Sequence, residues 1–382
     1  MITKNLHVYP SNFKNETRIL KETKSLVESG IADKVFIAAI WEDGVKEYKK
    51  LDRKREVWRV PLKISFFRNS PFGKILRFGE WYLKIFFRYK KEHITFFNSH
   101  SLSALPIGLL FKLFTRSKLV YDTHELETEV IGAVGSRKKI AKVMEKMLVH
   151  FVDIVIVVSD SIAKWYKDHY NLKEVYVIKN FPVPPERENK NSNILRDKFN
   201  IQQDEILFIY QGLLSEGRGV NILLNVFSKT NKKKHIVFMG YGILESLIKE
   251  FEKNSSNIHF HPAVAPEDVI PYTQSADVGI SLIENICLSY FYSLPNKVFE
   301  YLMSGLPLIV SNFPDMGKII EESKCGWKVP VNENSLIELV EKLSKEDIQE
   351  KRTNVLTCRN NYSWENEEKK LVSIYHKLSI SK

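Results

Sequence analysis

Short runs of β-branched and aromatic residues alternate along the chain with longer stretches whose apolar positions recur every three to four residues. "KVFIAAIW" (34–41), "KLVYDTHE" (118–125) and "DIVIVVSD" (153–160) predict strands in the first half. "EILFIYQG" (205–212), "KHIVFMGYG" (234–242), "ADVGISLIE" (276–284) and "LPLIVSN" (306–312) do so in the second. Helical spacing fills the intervals, as in "ETRILKETKSLVESG" (16–30), which stops on Gly30. This alternation predicts α/β architecture with doubly wound parallel sheets. The segment 180–193, "NFPVPPERENKNSN", is rich in proline and charge and reads as a linker between two such domains. "YSWENEEKKLVSIYHKL" (362–378) reads as an amphipathic terminal helix. In parallel sheets ligands bind beyond the carboxyl ends of the strands, so the loops there are where function is sought.

Composition narrows the picture. A chain of 382 residues with 44% hydrophobic content suits a soluble protein of two domains. No apolar run reaches bilayer length, and the first residues lack the apolar core of a secretory signal. Three cysteines (Cys287, Cys325, Cys358) are an odd number without metal-ligand spacing, which predicts a reducing, cytoplasmic setting and structural thiols. The net charge of +11 suits nucleic acid, anionic lipid or a phosphorylated substrate. No helix-turn-helix, zinc-finger, RNA-recognition or KH signature accompanies it, so no nucleic-acid partner is expected. Dehydrogenase and P-loop chemistry are set aside for want of their glycine fingerprints. Residues 63–91 interleave basic and aromatic side chains around a single acid, Glu80. This predicts peripheral contact with anionic membrane, its Phe and Trp dipping into lipid; the plainer alternative is a packed helix with a solvated basic face.

The stretch "SLPNKVFEYLMSGLPLIVSN" (293–312) carries the most chemistry. Pro295 precedes a helix, Asn296 is placed to cap it and Gly305 to end it. A helix start attracts anions, and Lys297 adds a full charge in the first turn. Glu300, one turn on, can accept hydrogen bonds from a pair of sugar hydroxyls. A capping Asn, a snorkelling Lys and a solvated Glu are the bland alternative.

The run "LPNKVFEYLMSGLPLIVS" (294–311) resembles the donor-site motif of family 4 glycosyltransferases of the GT-B fold. "YQGLLSEGRGVNILL" (210–224) is similar to that family's glycine-and-basic loop, and "VFMGYGILESL" (237–247) to its next strand and loop. The segment 158–182 resembles the end of the N-terminal domain, 15–30 the first helix, and 362–378 the terminal helix. The resemblance implies two Rossmann-like domains facing a central cleft: an acceptor-binding domain over 1–185 and a nucleotide-sugar domain over 195–360. Residues 361–382 would pack back on the first. It further implies retaining transfer of a sugar from a UDP- or GDP-linked donor to a glycan or polyprenyl-diphosphate-linked acceptor, in bacterial surface polysaccharide synthesis at the inner face of the membrane. No cofactor or metal is expected, because cationic side chains can stabilise the departing diphosphate. A nucleotide-sugar epimerase on the same fold and a non-catalytic sugar- or lipid-binding subunit are the alternatives.

By the same resemblance, Glu300 matches the glutamate that holds ribose hydroxyls. Lys297, Asn296 and the backbone of Ser293, Leu294 and Pro295 fall where diphosphate and sugar are contacted. Arg218 matches a cation on the leaving group, and Gly212, Gly240 and Gly242 would admit the nucleotide. Ala263 and Val264 lie where the base is met. His124, in "YDTHELETE", matches a histidine near the reacting sugar, so His124, Arg218 and Lys297 are the implied catalytic residues. Glu125 and His100 are weaker acceptor-side candidates. The chain departs from the family's pattern in three places: Tyr292 replaces a first glutamate, Leu213 replaces an arginine, and "YPSNFKNETR" (9–18) replaces a glycine pair. Arg18 or Asn12 could supply polar contacts in that last segment, although capping of the helix by Asn15 is the plainer reading.

Overall fold

The computed structural model describes residues 2–14, 16–63, 70–132, 134–183 and 193–380. It forms two units, Met1–Lys179 with Glu367–Lys382, and Asn180–Asn366. The first is built on eight strands: β1 (Lys4–Val8), β2 (Lys34–Ile40), β3 (Tyr48–Lys50), β4 (Arg55–Val60), β5 (Phe96–Ser99), β6 (Lys118–Asp122), β7 (Ile154–Val157) and β8 (Tyr176–Val177). Their order is β3-β4-β2-β1-β5-β6-β7-β8, parallel except for the edge pair β3–β4. The second holds β9 (Ile206–Leu213), β10 (Lys234–Tyr241), β11 (Ile258–Pro262), β12 (Val278–Ser281), β13 (Leu308–Ser311) and β14 (Gly326–Val329). Their order is β11-β10-β9-β12-β13-β14, all parallel. Strand order reverses between β1 and β5 and again between β9 and β12. These are the two switch points at which parallel sheets open a crevice beyond their carboxyl ends.

The apolar runs explain why these strands form. β9 is buried from Ile206 through Gln211, as expected of a central strand covered on both faces. The expected strands are all present, most of them trimmed at their ends and β9 displaced one residue along the chain. β1 escaped the hydrophobic pattern because Asn5 and His7, both buried, occupy two of its five positions. β4, with two arginines and a glutamate in its six residues, hides in the same way.

The expected linker is shorter than its composition suggested. Asn180 already belongs to the second unit, where Phe181 packs on Phe299 at a 4.4 Å centroid distance. Residues 184–192 of that segment lie outside the described residues, as does Asn15. The terminal helix, Trp364–Ile380, begins in the second unit, and from Glu367 onward groups with the first. In the first unit a buried carboxylate, Glu145, accepts hydrogen bonds from the phenols of Tyr121, Tyr166 and Tyr170 at 2.6–2.7 Å.

The basic-aromatic stretch forms the helix Pro71–Tyr89, with residues 64–69 outside the described residues. One expectation fails here. Trp81 is 0% exposed and donates its Nε1–H to the Ala39 carbonyl at 3.2 Å, so it anchors the helix to the sheet instead of facing outward. Among the described residues the outward apolar side chains of this helix are Ile75, Leu76, Leu83 and Phe87. They are joined by Leu113 and Phe114 of the adjoining helix Leu105–Thr115, whose Phe114 ring lies 5.8 Å from Phe86. Next along, the helix Gly135–Leu148 exposes Ile140, Val143 and Met147. No helix among the described residues is long and apolar enough to cross a membrane.

Candidate active site

In the second unit the switch point gathers the carboxyl end of β9, the loop after it, and the helix Asn296–Met303. Lys297 sits in the first turn of that helix but does not snorkel. Its side chain lies flat in the interior, Nζ 3.6 Å from the centroid of the Tyr210 ring and close to Gly212, where an added Cβ would stand 3.8 Å from Nζ. Only 6% of Lys297 is exposed, and Nζ has no hydrogen-bond partner among the described residues. Burial, then the nearby Arg218 charge, push its ammonium well below the usual lysine range, against the pull of Glu300. Arg218 stacks its guanidinium over Tyr290 at 5.3 Å, and its buried Nε is likewise without a partner. Two neighbouring cations with unused donors form a ready-made anion site.

The loop carrying Arg218 is fixed by a latch that sequence reading missed. Glu284, just past β12, accepts from the Gly219 amide at 3.1 Å, and its own amide donates to the Gly217 carbonyl at 2.9 Å. Both glycines have φ near +75°, which a side chain would strain. Glu300 is oriented by another residue not anticipated. Gln211 Nε2 donates to Glu300 Oε2 at 2.5 Å, while Thr273 Oγ1 donates to Gln211 Oε1 at 2.6 Å. The position of Gln211 directly before Gly212 was the available signal.

Several expectations need correcting. Asn296 is not the cap: Pro295 occupies that position, and Asn296, the first helical residue, accepts from Asn180 Nδ2 at 2.9 Å. With proline as cap no side chain covers the helix start; the Val298 amide donates to the Pro295 carbonyl at 3.1 Å, and the amides of Asn296 and Lys297 precede it. Gly240 has a packing requirement as well, because a Cβ there would lie 1.8 Å from the Gly212 carbonyl oxygen. Gly242, at φ +149°, meets the Leu214 carbonyl in the same way. At Ser293 and Leu294 the expectation concerns the backbone alone, since Ser293 Oγ donates to the Tyr290 carbonyl at 2.7 Å and Leu294 is buried in the core. Ala263 is exposed beyond β11, and Val264 packs partly against the core. Leu213 is exposed at the end of β9, and Tyr292 closes a short helical turn.

In the first unit the corresponding switch point holds a chain of buried polar side chains. His7 Nδ1 lies 2.8 Å from His100 Nε2, and His100 Nδ1 lies 3.2 Å from both His124 Nε2 and Asp122 Oδ2. Arg18 grips Asp122 with two donors, at 2.8 and 3.2 Å, and the Ile178 carbonyl with a third at 2.7 Å. Arg18 is therefore no ligand contact: it is buried and its donors are committed. Asn12 is similarly occupied, donating to Glu42 at 3.0 Å and accepting from the Lys14 amide. His100 is wholly buried, so it too supports and does not touch. His124 differs, its side chain 22% exposed, and Glu125 beside it is exposed. Burial holds the His124 imidazole down to about 3, so it is neutral near pH 7. His100, Asp122 and His124 are near enough to ligate a metal, but the Arg18 guanidinium already supplies a cation to that Asp122 carboxylate.

Comparison with known proteins agrees with this geometry. Residues 16–182 match the family described as Glycosyltransferase Family 4, and residues 205–346 match Glycosyl transferases group 1. The chain belongs to the family 4 glycosyltransferases. This glycosyltransferase is 22% identical over 262 residues to a chitobiosyldiphosphodolichol beta-mannosyltransferase of Candida albicans, the match covering 62% of this chain and 56% of that one. It is 25% identical over 251 residues to an uncharacterized glycosyltransferase of Methanocaldococcus jannaschii, covering 63% and 60%. The alignments thus span less than two thirds of these relatives' length. Among solved structures it resembles a sucrose-phosphate synthase from Thermosynechococcus elongatus, with a TM-score of 0.79 at 13% identity over the whole of both chains. It also resembles Anabaena HepE in complex with UDP and glucose, with a TM-score of 0.74 at 13% identity over 98% of this chain and all of that one. Those likenesses establish the GT-B fold of the enzyme.

Proposed function

We propose that this enzyme transfers a sugar, with retention, from a nucleotide-diphosphate sugar to a glycan or lipid-linked acceptor in surface polysaccharide synthesis. The observation that carries the reading is the pair Lys297 and Arg218, two cations side by side with buried, unused donors at an uncapped helix start. Like charges so placed oppose the fold unless an anion joins them, and a diphosphate suits both charges and the helix amides. In the transfer step the glycosyl–oxygen bond breaks and negative charge collects on the departing diphosphate, where these fixed donors stabilise it without a metal. Glu300, held by Gln211, accepts from the ribose hydroxyls. The complex of Anabaena HepE with UDP supports a uridine donor, and the dolichol-linked substrate named for the Candida relative supports a lipid-linked acceptor.

A thermal-shift screen across UDP-, GDP- and dTDP-sugars tests the donor assignment. One base class raises the melting temperature by several degrees at a concentration ~100-fold above Kd, where the stabilisation is about 2.7 kcal/mol. Arg218→Ala abolishes that shift. No shift with any nucleotide sugar would refute the donor site.

A membrane-bound acceptor also suits the outer face of the first unit. Ile75, Phe87, Phe114 and Ile140 stand out among the exposed cations Lys74, Arg88, Arg116 and Lys139, the combination that binds an anionic lipid surface at the cytoplasmic leaflet. Vesicles containing phosphatidylglycerol should sediment the enzyme, and the double variant Phe87→Ser, Phe114→Ser should stay in the supernatant. Equal sedimentation of both proteins would remove this surface from the proposal.

A further inference from the structure

The polar chain in the first unit has a direction, and that direction decides which nitrogen of His124 carries its proton. At one end Asp122 presents a carboxylate, held ionised by Arg18, to His100 Nδ1 at 3.2 Å. Only an N–H can face that oxygen, so Nδ1 of His100 is protonated. With that as the ring's one proton, Nε2 is bare and accepts from His7 Nδ1 at 2.8 Å. At the other end the requirement is set independently. Tyr375 donates its hydroxyl to Asn98 Oδ1, which turns the Asn98 amide toward Asn5 Oδ1 and His7 Nε2, at 2.5 and 3.3 Å. His7 Nε2 therefore accepts, and the proton of His7 again falls on Nδ1. The two anchors, 24 residues apart in sequence, agree on one polarity. His124 Nε2, 3.2 Å from the protonated His100 Nδ1 and 3.9 Å from Asp122, is an acceptor.

We infer that Asp122 and Asn98, acting through His100 and His7, hold His124 as the Nδ1–H tautomer, so that this ring offers its ligand a hydrogen-bond donor and no basic nitrogen. Asp122, His100, His7, Asn98 and Tyr375 are positioning residues, and His124 is the exposed terminus they orient. Among the described residues no hydrogen bond involves His124 Nδ1, and its neighbour Tyr9 packs on the ring at 5.3 Å, fixing its plane. Its specificity follows. A sugar hydroxyl oxygen, or another acceptor atom, is received at His124, whereas proton abstraction from an acceptor must fall to a different group. The consequence for transfer rests on the function proposed above; the tautomer does not.

The test is long-range proton–nitrogen NMR of the full-length chain labelled with 15N-histidine, without a donor. His7, His100 and His124 are expected to show protonated Nδ1 and bare Nε2, the reverse of the form that free histidine prefers in water. A protonated Nε2 on His124 would overturn the inference. His100→Phe, which cuts the chain, should return His124 toward the solution mixture. Because His100 is wholly buried, Tyr375→Phe provides a second arm, expected to broaden or split the His7 resonances while the fold persists. A metal at His100, Asp122 and His124 would instead appear as zinc retained through dialysis of the untagged protein, and this would also overturn the inference. In transfer assays His124→Asn, whose amide N–H takes the place of Nδ1–H, should keep at least tenfold more rate than His124→Gln. If NMR gives the expected tautomer but His124→Ala transfers normally, the functional reading fails and the relay stands.

Discussion

Replacing Lys297 with methionine should make the ligand-free enzyme more stable and nearly inactive. The ammonium is buried beside Arg218 with no hydrogen-bond partner among the described residues, and methionine fills a similar volume over the Tyr210 ring without the charge. We expect a rise of several degrees in melting temperature together with a fall in turnover of about 100- to 1,000-fold, the usual effect of removing one donor from developing negative charge. The pH dependence provides a separate check. The folded Lys297 releases its proton below the ordinary lysine value, so between those two values the unfolded chain binds more protons and stability rises with pH. The methionine variant should lose that rise. Diphosphate binding should run the opposite way, weakening as pH climbs through the folded value, because the anion requires the charged form. A variant with unchanged stability and unchanged turnover would show that Lys297 belongs to neither role.

The second large effect concerns Asp122. Asp122→Ala leaves Arg18 buried, with Glu22 as the remaining nearby carboxyl, and should cost about 3–5 kcal/mol, since removal of one partner strands the other. In a unit of this size that corresponds to a drop of roughly 10 °C in melting temperature. Burial alone would raise the Asp122 carboxyl, but the Arg18 charge and the His100 hydrogen bond outweigh it and hold it well below the usual carboxylate range. Its contribution is therefore complete above the unfolded value, about 3.9, and is lost as pH falls below that toward the folded value. Acid titration of the wild type should show this loss, and Asp122→Asn should shift its onset. Thermal denaturation followed across pH 2–6 measures both, and coincident curves for the two proteins would contradict the assignment.

Much of this is legible in the sequence. The strand runs, the glycine loop and the Pro-Asn-Lys-x-x-Glu segment survive because each is local: a buried parallel strand writes itself as continuous apolar sequence, and a helix start as a short polar motif. What escaped is whatever depends on residues far apart in the chain. Glu284 looks like any strand-end acid until Gly217 and Gly219 are found beside it. Arg18 looked available because helical periodicity shows which face is inward but not that Asp122, 104 residues away, waits there. β1 was missed for the same cause. Its Asn5 and His7 are polar because they belong to a network closed by Tyr375 at the other end of the sequence. Trp81 shows the converse, an aromatic that a basic neighbourhood marked for lipid and that the sheet claimed.

The strand-end glycines set how this protein can diverge. At Gly240 and Gly242 a methyl group would strike the chain's own carbonyls, and those collisions occur whether or not a ligand is present. Drift at these positions is therefore blocked by folding alone. Ala263, exposed just beyond β11, meets no such barrier. On the proposed reading, substitution is freer beside the nucleobase than at these two strand ends.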